Sequence, residues 1–284
     1  MGKKHLLFVT FLLLPSISNA HQPVMDMAPR WDGGYGFQVR HENYGSGKLI
    51  NKDSKIDNSA NQRSSINKTW FEGVYTFDKS IRATFKIPYI QKTISSDGKK
   101  ESTQGIGDLI LGLPLKKYSN KGALTSNLSL TPSIRIPTGS SKGNLPISDG
   151  SADLGLSLSY SIENPKFYHL YDLFYWNNNR GDRGINEGNE LGLDINFGYH
   201  PIHNNETNTG MFLLWDVSAR NIEKGVGLNN QITGGRRVHT GPILVLYKEN
   251  IMFRAEYKFP IYEYVQSLSL SRGNELNIGI GITF

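Results

Sequence analysis

The sequence contains no cysteine, which excludes disulfides, thiolate metal sites and cysteine nucleophiles. Beyond Leu14 it also lacks any apolar run approaching the ~18 residues that a membrane-crossing helix needs, so it does not read as a helical membrane protein. Charge of one sign is scarcely in excess: 31 Lys and Arg stand against 25 Asp and Glu, a formal +6. The bases are scattered among acids, without the concentrated basic stripe of a nucleic-acid binder. Apolar residues at helical spacing are rare, and no glycine loop precedes a helix as a nucleotide site requires. No His pair stands at metal-ligand spacing, and the acids are dispersed. No cofactor, metal or nucleic-acid partner is expected.

What is present begins with an export leader. Lys3 and Lys4 precede an apolar run from Leu6 to Leu14 and small residues at Ser18 and Ala20, so cleavage is expected after Ala20 and residues 1–20 are lost. Residues 21–32, carrying Pro23, Met25, Met27, Pro29 and Trp31, are expected to form either a periplasmic tail or a lumenal plug. From residue 33 to 284 the chain alternates with period two. Tyr35, Phe37 and Val39 begin the pattern; Leu154, Leu156 and Leu158 repeat it; Leu276, Ile278, Ile280, Ile282 and Phe284 close it. Short turns at Asp78–Ser80, Ser119–Gly122, Glu163–Pro165 and Lys248–Asn250 alternate with long polar stretches. Of these, Gly45–Ser64, Ser95–Gln104, Pro137–Gly150 and Asn177–Asn186 read as loops, as do a connection containing Pro201 and the stretch that follows the strand residue Val217 and reaches Gly235.

About twelve strands result, each long enough for a tilted span of ~9–11 residues. A β-sandwich also alternates, but aromatic residues recur at these strand ends, and a closed wall alone leaves no backbone edge unpaired in hydrocarbon. The expected fold is an all-β, transmembrane, antiparallel up-and-down barrel with lipid outside.

The same parity sends Arg40, Glu72, Arg82, Lys86, Asp108, Arg135, Asp153, Asp172, Asp194, Asp216, Arg254, Glu256, Lys258 and Glu275 inward. An outward Arg or Lys would cost about 2–4 kcal/mol near the midplane. Such charges either pair across strands to hold the wall or line a solute path as opposed ladders. The candidates for selectivity are Arg82, Lys86, Asp108, Arg135, Asp194, Arg254, Glu256 and Lys258. Twelve strands predict a narrow bore.

Two other classes compete with a channel. A lipid hydrolase on the barrel wall would use His169 or His239, yet no nucleophile and orienting group are legible beside either, and no catalytic residue is assigned. A surface adhesin would use the loops Gly45–Ser64 and Pro137–Gly150, which lack an aromatic hot spot.

Two resemblances add to this reading. Gly105-Ile106-Gly107-Asp108-Leu109, then Leu111-Gly112-Leu113, then Ile136-Pro137-Thr138-Gly139 resemble the MetA-pathway phenol-degradation family of outer-membrane proteins. The resemblance implies a transporter-type barrel in the Gram-negative outer membrane that admits small hydrophobic or aromatic compounds passively. The terminal spacing Asn277, Gly279, Ile282, Phe284 resembles the signal that barrel-assembly machinery reads. That machinery and outer-membrane lipid are the implied partners, with the solute itself unidentified.

Overall fold

The computed structural model describes residues 32–204, 206–227 and 231–284; the expected leader, and all of the segment 21–32 but Asp32, lie outside them. Sixteen strands follow in chain order. They are β1 (Tyr35–Ser46), β2 (Leu49–Lys52), β3 (Ser54–Ile56), β4 (Arg63–Thr76), β5 (Arg82–Ser96), β6 (Lys99–Ile106), β7 (Leu109–Gly112) and β8 (Leu115–Lys121). There follow β9 (Leu124–Ile136), β10 (Asp153–Glu163), β11 (Phe167–Asn177), β12 (Glu190–Asn204), β13 (Thr209–Val226), β14 (Ile232–Lys248), β15 (Ile251–Leu270) and β16 (Glu275–Thr283).

Each strand pairs antiparallel with its sequence neighbour around a closed ring of twelve positions, and β16 returns to β1 in an unbroken register from Gly36↔Thr283 to Tyr44↔Glu275. The strands β6, β7 and β8 follow one another along a single position of this ring, between β5 and β9. The interruptions have local causes. Pro114 and Pro132 lack the N–H a ladder needs, and Gly107 donates to the Pro88 carbonyl at 2.7 Å just before the chain shifts register at Asp108. The hairpin of β2 and β3 lies outside the ring, on the upper end of β15.

The outer face is hydrocarbon-loving. Leu154, Leu156 and Leu158 on β10 leave 59%, 50% and 48% of their surface uncovered; water would penalise this by about 25 cal/mol per Å², whereas lipid does not. Aromatic rings gather where the short turns lie: Tyr35 sits 4.9 Å from Tyr75, which sits 4.8 Å from Phe77, and Phe167 lies 5.7 Å from Tyr199. The short turns share this rim with the start of β1 and the end of β16, where Tyr35 and Phe284 exchange backbone hydrogen bonds, which makes it the periplasmic one.

Several expected loops are strands. The stretch Ser95–Gln104 is mostly a hairpin, in which Gln91 faces Gln104 and Thr93 faces Ser102 on the outer side. Both faces are polar because the sheet has left the membrane there, so alternation vanishes while pairing persists. The run from Val217 to Gly235 is likewise mostly paired, and the connection at Pro201 is a bulge within β12 where the register shifts between Tyr199 and Ile202.

One part of the interior is dry. Tyr168, Phe212, Leu214, Ile243, Val245 and Met252 are 1–4% exposed and pack together inside the periplasmic end of β11 and β13–β15. The sequence signal is a loss of alternation: Met211-Phe212-Leu213-Leu214-Trp215 and Ile243-Leu244-Val245-Leu246 are apolar on both faces, because one face meets lipid and the other meets this cluster.

Candidate functional site

The candidate site is the lumenal wall, and its chemistry divides by strand. On β9 and β10 the inward residues are small and hydroxylated, with Thr131 opposite Ser157 and Ser129 opposite Ser159. Asp172 on β11 accepts from the Ser157 and Ser159 hydroxyls at 2.5 and 2.7 Å. The facing wall carries charge. Arg40 on β1 donates to Glu72 and Asn277, each at 3.1 Å. Glu72 in turn stands in register with Lys86, which leaves its side chain open to the lumen.

Three of the expected selectivity residues come together on one strand. Lys258 reaches Asp216 at 2.7 Å and Glu256 at 3.0 Å and donates to Ser218 at 2.7 Å, while Arg254 holds the other Glu256 oxygen at 3.2 Å. Period two places 254, 256 and 258 on one face, and β13 supplies Asp216. Asp194 forms a two-pronged pair with Arg220 at 2.8 and 2.9 Å, and Arg135 meets its register partner Asp153 at 3.0 Å.

Two expected residues stand apart from these pairs. Arg82 is fully buried near the periplasmic end and donates to the Tyr118 hydroxyl at 2.9 Å. Asp108, at the extracellular break between β6 and β7, accepts from the Gly139 N–H at 3.0 Å and the Ser148 hydroxyl at 2.8 Å, so it docks the loop Pro137–Gly150. Lys92 fastens the same loop through the Pro146 carbonyl at 2.7 Å.

Burial pushes the Asp108 carboxyl above the usual carboxylate range, against the two donors that hold it down. A carboxyl raised in the docked state stabilises docking when protonated and loses that contribution as pH climbs through the raised value. Hydrogen exchange of the Gly139–Ser148 backbone, corrected for intrinsic rate, is therefore expected to quicken from acidic to neutral pH. Asp108→Asn should flatten that dependence; a flat wild-type profile would contradict it.

Several charged residues of the lumenal wall escaped the sequence reading. Arg220, Arg237, Glu190 and Glu42 face inward near the extracellular ends of long strands, where polar residues occupy both faces and parity is hard to read. Arg272 belongs to the β15–β16 connection, yet it pairs with Glu42 at 3.1 Å and with Glu275, and its guanidinium lies 3.6 Å from the centre of the Tyr44 ring. The inward aromatics Trp70, Phe174 and Trp176 were readable from parity.

The histidines occupy different solvents. His169 points outward near the periplasmic rim, edge-on to Phe197 at 5.5 Å. His239 is buried and inward, with Nε2 3.1 Å from the Gly273 carbonyl oxygen and 3.7 Å from Glu275. His200 and His203 both meet the Tyr247 hydroxyl, at 2.9 and 2.8 Å, and His200 stacks on Phe212. Among the described residues no group of three or more His, Asp or Glu side chains is placed to hold a metal ion. The terminal residues divide by parity: Asn277 and Gly279 face inward, Ile282 and Phe284 outward, Phe284 with 63% of its surface uncovered.

A family model described as the putative MetA-pathway of phenol degradation matches residues 40–263. No curated protein matches the chain. Among solved structures, a COG4313 outer membrane channel from Pseudomonas putida superposes with a TM-score of 0.68 at 15% identity, covering 89% of this chain and 96% of that one. The beta domain of the Bordetella autotransporter BrkA aligns more loosely, with a TM-score of 0.46 at 12% identity over 89% of this chain and all of that one. The first likeness establishes a common barrel fold.

Proposed function

This chain belongs to the family of the putative MetA-pathway of phenol degradation, and we propose that it is an outer-membrane channel for the passive uptake of small molecules. The observation that carries this reading is a closed ring of strands with two solvents: uncovered leucines outside, and inside an ion-paired, hydroxyl-lined surface. A solute that crosses the membrane needs hydrogen-bonding partners along its path, and this interior supplies them.

The family description suggests phenolic or other small aromatic solutes, and selectivity is assigned to the charges of the lumenal wall. Arg135, Asp194, Arg254, Glu256 and Lys258 are neutralised in pairs, which supports a pore that sorts solutes by local contact and not by net charge. Lys86 and Asp108 complete the set at the lumen and the mouth, and Arg82 near the periplasmic end. No catalytic step is assigned. Asn277, Gly279, Ile282 and Phe284 are proposed as the segment that barrel-assembly machinery reads during insertion into outer-membrane lipid.

Purified protein reconstituted in planar bilayers is expected to give a small, stable conductance with weak preference between cations and anions. Absence of both conductance and solute flux, with lipid hydrolysis that disappears in His169→Ala, the histidine on the lipid side, would replace the channel by an enzyme.

A further inference from the structure

Two aromatic rings in the upper lumen are built into layers. Phe174 on β11, Gly192 on β12 and Arg220 on β13 stand in one row of the sheet. Because Gly192 has no side chain, the Phe174 ring fills the space a Cβ would need, its atoms lying 2.1–2.6 Å from that position. With one face against the wall, the ring takes a cation on the other, and the Arg220 guanidinium lies 4.7 Å from its centre. The arrangement recurs one strand away. Trp176 lies across Gly155, its atoms 2.9–3.0 Å from the glycine's missing Cβ, and Arg135 sits 4.6 Å from the ring centre.

Both arginines also hold a carboxylate, Arg220 through two nitrogens on both oxygens of Asp194 and Arg135 through one nitrogen on Asp153. Neither is sealed off: 17% of the Arg220 side chain and 22% of the Arg135 side chain remain uncovered.

We propose that the guanidinium groups of Arg135 and Arg220 each form a solute subsite for neutral, electron-rich aromatic rings. A ring presents a negative face to the cation, and a saturated ring of the same size has no such face to offer. An arene carboxylate fares worse than a neutral ring, because Asp153 and Asp194, already paired with these arginines, repel it. The wall's own aromatics serve as backing that holds each guanidinium flat. On β10, between β9 and β11, the Ser157 oxygen still has a lone pair to accept from a ring hydroxyl, its own proton being given to Asp172.

This inference rests on the channel reading above, and its test separates the two. Phenol, cyclohexanol and benzoate are added to the reconstituted protein in planar bilayers, and the concentration that half-blocks the ionic current is measured for each. Phenol should block at roughly threefold to tenfold lower concentration than cyclohexanol, and benzoate should be weaker than phenol. In Arg135→Lys and Arg220→Lys, which keep the charge and the carboxylate partner but lose the plane, phenol should fall to the level of cyclohexanol.

Conductance with equal block by phenol and cyclohexanol, a phenol preference that survives both lysine variants, or stronger block by benzoate would overturn the subsite and leave the channel standing. No conductance at all would overturn the channel, and the subsite with it.

Discussion

Replacing Lys258 with methionine is expected to destabilise the folded barrel by about 3–5 kcal/mol, read as a large drop in the temperature at which the detergent-solubilised protein unfolds. Lys258 is the single cation shared by Asp216 and Glu256, whose side chains are 2% and 5% exposed. Without it two carboxylates stay buried side by side, with Arg254 left to answer one oxygen of Glu256. The loss comes from the stranded acids and not from the missing bond, since a well-made buried pair contributes little net stability once its desolvation is counted. Adding Asp216→Asn and Glu256→Gln to Lys258→Met should therefore recover most of the stability. A triple variant as weak as the single one would show that packing of the lysine stem, and not charge, sets the cost.

The second large effect tests which solvent each face meets. Leu158→Arg places a charge on the outer face of β10, at a residue with 48% of its surface uncovered, and is expected to cost about 2–4 kcal/mol near mid-membrane. Ser157→Arg, one residue earlier, faces the lumen beside Asp172. It should leave unfolding nearly unchanged while lowering conductance by narrowing the bore. If both arginines are tolerated equally, or if Ser157→Arg is the more damaging to stability, the assignment of lipid to the outside and water to the inside fails.

Much of this architecture was legible because a membrane barrel enforces parity. Leu154, Leu156 and Leu158 had no face but the outer one to occupy, and Arg254, Glu256 and Lys258 had none but the inner. Legibility ended where one of the two solvents ended. Above the membrane the β5–β6 hairpin is polar on both faces, so Ser95–Gln104 looked like a loop although it is largely strand. At the periplasmic end the interior around Phe212 and Val245 is apolar, so alternation disappears within well-formed strands.

The candidate site was legible in part for a related reason. Parity tells which side a residue faces but not its height along the wall or its partner. Arg135 and Asp153 are register mates across two strands, and only the structure pairs Asp194 with Arg220 from two strands of unequal length. Asp108 read as one rung of a charged ladder, yet its bonds to Gly139 and Ser148 give it the task of docking a loop. Arg272 offered no signal, because a residue in a connection has no parity to read.

The pairing of β1 with β16 sets a condition on biogenesis. Their register spans nine residue pairs and joins the first described strand of the chain to its last, so the ring exists only when translation has delivered both ends. Stopped one strand short, the polypeptide would present β1 and β15 as two raw margins, each with a row of amide and carbonyl groups that hydrocarbon cannot solvate, at several kcal/mol per group. Closure is thus the step that makes the wall compatible with hydrocarbon, and a chain cut before β16 is expected not to be retained in the bilayer.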